Sequence, residues 1–135
     1  MQAFIKQPKR IPLILKLGIW FSEKITGKIM LPARILAWYP KAAIGSGVME
    51  ALVAHADGQM TQRMLKLIRM TASYAVACPS CIDMNSYEYR DVGITDEEAD
   101  ALHGDYEKIA SFSENEKLAI AYTRVISQTP LKFHP

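Results

Sequence analysis

The sequence predicts an all-α fold, a compact bundle of about six helices joined by short turns. Three observations carry it: apolar residues recur at helical spacing, hydroxyl and carboxylate residues three apart mark helix starts, and the period-two alternation of strands is weak throughout. With 135 residues, half of them apolar, the chain has material for one hydrophobic core and is taken as a single domain over 1–135. No repeat and no low-complexity tract interrupts it.

From Ile11 to Ile25 the apolar residues Leu13, Leu17, Trp20 and Phe21 keep a helical period, and Gly27 follows as a stop. The segment has the charged start of a signal peptide, but Lys16 breaks its apolar run and no small-residue cleavage site follows. The uninterrupted stretch is far short of the ~20 residues a membrane span needs. A helix docked on protein is therefore the preferred expectation, with an amphipathic helix on an anionic membrane surface as the lesser alternative. Without an export signal the expected location is cytoplasmic.

A second helix is predicted from about Pro40 to Ala56, ending at the turn Ala56 to Gly58. A third spans Met60 to Ala77, where Gln62, Lys66, Arg69 and Ser73 form a polar stripe opposite Met64, Leu67, Ile68, Met70 and Tyr74. Pro79 disfavours the α conformation at Cys78 and suits the first turn of a new helix, so the chain breaks at Cys78 and restarts at once. That helix is expected to reach Val92, with Gly93 as its stop. The capping-box sequences Thr95 to Glu98 and Ser113 to Glu116 then open helices near Asp96 and Glu114. These end near His103-Gly104 and near Gln128, where Pro130 bars continuation.

The formal net charge is only +2, which does not point to nucleic acid. Its distribution is uneven. Residues 1–45, a basic and apolar N-terminal segment, hold eight Lys and Arg against Glu23 alone, a balance of +7, whereas residues 46–135 carry −5. Such a chain can pack its basic part on an acidic one, in its own body or in a neighbour's.

The only two cysteines lie three apart in "ACPSCIDMN", Ala77 to Asn85. The spacing is open to a redox dithiol, half of a zinc site, or two small packed side chains. Zinc requires four ligands, or three plus water, and neither His55, His103 nor His134 lies at a spacing that completes a site, so no metal and no bound cofactor is expected. A thioredoxin fold is disfavoured because no strand precedes Cys78. Cys78 at a helix cap and Cys81 in the first turn place both sulfurs where free amides and the helix dipole favour a thiolate, the reactive form. Along the following helix Cys81, Ile82, Asn85, Tyr89 and Val92 share a face, so the Asn85 amide is in reach of the sulfur or of a bound substrate.

The ordered series "RMLKLIRMTASYAVA", "CPSCIDMNS", "GITDEEADAL" and "SENEKLAIAYTRVIS" resembles the carboxymuconolactone decarboxylase-like family, in its alkylhydroperoxidase D-like branch. The likeness runs over roughly Met60 to Pro130, about half the chain. The resemblance implies a helical domain that assembles into homo-oligomers, trimers or hexamers. It also implies a thiol-dependent peroxidase or disulfide reductase whose substrate is a hydroperoxide or a disulfide. Cys81 would attack, Cys78 would resolve the sulfenic acid as a disulfide, and an external thiol reductant would restore the dithiol. Two family positions differ here. Asn85 stands where peroxidase members have a His and Lys66 where they have a Glu, so both proton-handling positions are changed. Lys66 is read either as a charge that helps hold a thiolate or as a solvated residue of the polar stripe. Asp83, Tyr87 and Glu88 lie near the pair in sequence and receive no role. The rival expectation is a non-catalytic oligomeric protein that keeps the fold, with the cysteines as a redox-sensing clip or as packing.

Overall fold

The computed structural model describes residues 6–53, 58 and 60–128 and divides the chain into two compact units, Met1–His55 and Ala56–Pro135. The described residues form seven α-helices and two 3-10 turns with no strand, so the fold is all-α.

In the first unit α1 runs Leu13–Thr26 and ends where Gly27 adopts the left-handed conformation (φ 65°) that a Cβ would disfavour. A short α2, Leu31–Leu36, was not expected from its sequence. It starts with Pro32 in the first turn, a place where the missing proline N–H costs nothing. The turn before it is fixed by Glu23, whose carboxylate accepts from the Met30 N–H (3.0 Å) and from the Arg34 guanidinium through two bonds of 2.7 and 2.6 Å. α3 runs Pro40–Val53 and packs on α1 and α2. The remainder of the helix expected to reach Ala56, with His55, lies outside the described residues. Only Pro8 and Ala37 are buried among this unit's described side chains.

The second unit is built around α4, Gln62–Ala75, capped by Thr61. Its Leu67 and Met70 are fully buried against Ile120 of α7 (Glu114–Ile126), Leu102 just past α6 (Asp96–Ala101), and the connecting residues Ile94, Tyr106 and Phe112. Both predicted capping boxes form, at Thr95/Glu98 and Ser113/Glu116. Their two glutamates converge on one cation. Arg63 donates to Glu98 (3.1 and 2.7 Å), to Glu116 (2.7 Å) and to the carbonyl of Gly93, so a single guanidinium ties the starts of α6 and α7 to α4. Pro130 and His134 lie outside the described residues.

The helix expected from Pro79 to Val92 is shorter than predicted. α5 spans Pro79–Asn85, Glu88 turns left-handed (φ 52°), and a separate 3-10 turn covers Tyr89–Val92. Two groups on α4 stop it. The Tyr74 hydroxyl meets Ser86 Oγ at 3.3 Å, and the Lys66 ammonium takes the Tyr87 carbonyl at 2.7 Å. Tyr89 and Val92 therefore do not continue the face of Cys81 and Asn85.

Candidate functional site

The cysteine pair sits where α4 hands over to α5. α4 closes with the double bond pattern of a left-handed terminus: the Ala77 N–H donates to the Tyr74 carbonyl (3.0 Å) and the Cys78 N–H to the Ser73 carbonyl (3.3 Å). Ala77 holds the left-handed position itself (φ 49°), a place usually taken by glycine. Cys78 then opens the next helix. Its backbone is extended (φ −90°, ψ 104°), its Sγ accepts from the Cys81 N–H at 3.3 Å, its carbonyl accepts from Ile82, and Pro79 fills the first helical position. One residue thus ends one helix and begins another, as the Cys-Pro sequence predicts.

Cys78 and Cys81 are joined as a disulfide, with Cα atoms 5.2 Å apart, inside the span such a bond requires. Both residues are half-buried. Among the described residues no group of three His, Cys, Asp or Glu side chains is placed to hold a metal ion. His103 instead stacks on Tyr74, ring centroids 3.9 Å apart.

Asn85 and Lys66 are both occupied. The Asn85 amide donates to Ser73 Oγ (2.8 Å), and Ser73 Oγ in turn donates to the Arg69 carbonyl (2.7 Å). Lys66 is bound to the Tyr87 carbonyl, just past the end of α5, whereas the sulfurs lie at its start. Burial lowers the Lys66 pKa below the ordinary lysine range; the Arg69 charge adds to this, while Glu88 and Asp91 oppose it. The structure therefore brings Cys78 and Cys81 together, sets Asn85 on Ser73, and places Lys66 at the far end of α5. Asp83 and Glu88 are exposed and Tyr87 is half-buried.

Sequence reasoning passed over Ser73, which supplies a carbonyl to Cys78 and a hydroxyl to Asn85. The signal was its position in the polar stripe of α4. The stripe predicts a solvent side opposite the buried face, yet Ser73 is 3% exposed and Lys66 is half-buried, because α5 packs on α4. Compared with known proteins, the chain matches no family model, no curated protein and no solved structure.

Proposed function

We propose that the Cys78–Cys81 pair is a redox-active dithiol that reduces a hydroperoxide or a disulfide, in the manner of the alkylhydroperoxidase D-like proteins that the motif series resembles. The observation that carries this reading is the disulfide itself, closed at a half-buried helix start between the chain's only two cysteines. With a hydroperoxide, the Cys81 thiolate attacks the terminal oxygen. The O–O bond breaks, the alkoxide leaves and takes a proton from solvent, and Cys81 becomes a sulfenic acid. Cys78, as thiolate, attacks that sulfur and hydroxide departs. Two electrons pass from the thiols to the peroxide, leaving an alcohol, water and the disulfide. Two external thiols then reduce the pair by exchange and leave as their own disulfide. The dipole of the helix start favours a thiolate, and the amide aimed at sulfur there, the Cys81 N–H, lies 3.3 Å from Cys78 Sγ.

A specific observation favours the second reading, a redox-sensing clip without turnover: Asn85 and Lys66 are both engaged in bonds that hold α5 and its following turn. The two readings separate on rate. Reduced protein mixed with an alkyl hydroperoxide is expected to lose two thiols and two hydrogens by intact mass. Cys81→Ser should not react, and Cys78→Ser should stop at a sulfenic acid that dimedone traps. Wild type reacting no faster than a free model thiol overturns the peroxidase reading in favour of the clip.

We further propose that the chain assembles with copies of itself. Leu13, Ile14, Leu17, Trp20, Phe21 and Ile25 of α1 are all more than half exposed, a continuous apolar face larger than scattered surface residues explain. Leu118 and Tyr122 of α7 form a second such stripe with Ile126. The +7 and −5 balances of residues 1–45 and 46–135 supply the matching charge for a second copy.

A further inference from the structure

We infer that Ser73 and Asn85 are positioning residues for the dithiol, because Ser73 fastens both ends of the helix that carries the two sulfurs. At the start of α5 the Ser73 carbonyl accepts from the Cys78 N–H (3.3 Å). At its last residue the Ser73 hydroxyl accepts from the Asn85 amide (2.8 Å). The hydroxyl keeps its own proton on the Arg69 carbonyl (2.7 Å), so its acceptor side faces Asn85. Ser73 is buried and Asn85 half-buried, so an amide deprived of that acceptor loses a partner that the buried side of the contact does not replace from solvent. The inference rests on the dithiol reading of the pair but on no particular oxidant.

The need for such an anchor follows from length. A seven-residue helix is too short to persist by its own hydrogen bonds, so α5 stays helical only through what it packs on. In the oxidised protein the disulfide itself closes the first turn. In the reduced protein that restraint is gone, and the separation of the two thiols depends on α5 remaining a helix. While it does, the Cα atoms stay near the 5.2 Å that a disulfide spans and each thiol sees the other at high effective concentration. Once the anchor is lost, α5 of the reduced form gains conformational freedom and closure becomes less favourable. Ser73 and Asn85 bond to each other and act through the helix, so the sulfur chemistry is tuned without a direct contact.

The test is a thiol–disulfide equilibrium in a dithiothreitol redox buffer, read by alkylation and intact mass on wild type, Ser73→Ala, Asn85→Ala and the double variant. Each single substitution is expected to lower the equilibrium constant for closing the disulfide about tenfold, a shift of ~30 mV toward easier reduction. The double variant should fall no further than the singles, because one bond is lost in all three. Ser73→Thr, which keeps the hydroxyl, should return toward wild type. Singles that equilibrate like wild type, or singles whose effects add in the double variant, overturn the inference. If Ser73→Ala does not fold, Asn85→Ala against wild type decides it. A pair that equilibrates as expected yet ignores hydroperoxide sinks the peroxidase reading alone, whereas a pair that cannot be reduced sinks both.

Discussion

Ala77 is held in a backbone region where its Cβ crowds the following carbonyl (φ 49°). Glycine there would relieve the crowding but add freedom to the unfolded chain, and the two effects differ by enough to give a sign. Ala77→Gly is expected to stabilise the protein by about 0.5 to 1 kcal/mol, seen as a higher urea midpoint with unchanged slope. A lower midpoint would mean that the alanine methyl makes a packing contribution larger than its strain. The handover at Cys78 was legible because Pro79 constrains both its neighbour and itself. The left-handed Ala77 was not, since alanine carries no local preference for that conformation. Asn85 shows the same boundary: its place on α5 followed from spacing, but its partner Ser73 belongs to another helix, and no local pattern pairs them.

Among the elements, α4 is the one that organises its unit, with an apolar side on α7 and a polar side on α5. Its Arg63 gathers the two capping-box glutamates. For Glu98 burial alone would raise the pKa, but the bonds from Arg63, Ser111 and the Thr95 amide, with the Arg63 charge, outweigh it and bring the carboxyl down to about 2. Glu116 is lowered as well, burial again being outweighed by the Ser113 and Arg63 bonds. Both carboxylates bind protons more readily unfolded than folded. The stability they contribute is complete above the unfolded value of 4.5 and is lost as pH falls through the folded values. Denaturation at stepped pH should show a loss of about 3 kcal/mol between about pH 4.5 and 2. Arg63→Met should cost about 3 kcal/mol at pH 7, since it leaves Glu98 buried without its cation, and should flatten that acid limb. An unchanged acid limb in the variant would show that the pair does not set it. Both capping boxes were legible because each is a contact across three residues; the meeting of their glutamates on Arg63 joins residues 35 and 53 positions apart and was not. The end of α5 escaped notice for the same reason, being imposed by Lys66 and Tyr74 of α4.

For the molecule as a whole, the helical class and the order of every helix but α2 were readable because each is written in local periodicity and punctuation. The second copy proposed for the exposed face of α1 was not, since another molecule's surface leaves no period in the sequence. Light scattering after size exclusion is expected to give a mass above one chain, reduced by Leu17→Lys with Phe21→Ser, which place a charge and a hydroxyl on the exposed face. A monomer that sediments with anionic vesicles would assign that face to a lipid surface instead. The covalent link at the site has its own consequence at this scale. It spans only three positions, so the chain-entropy account credits it with about 2 kcal/mol, and the tertiary structure is held elsewhere, by the core and by Arg63. Cutting it unlaces no long loop. Under the proposed redox role the molecule gains and loses a pair of electrons while its architecture stands still, unlike proteins for which the same bond is a rivet.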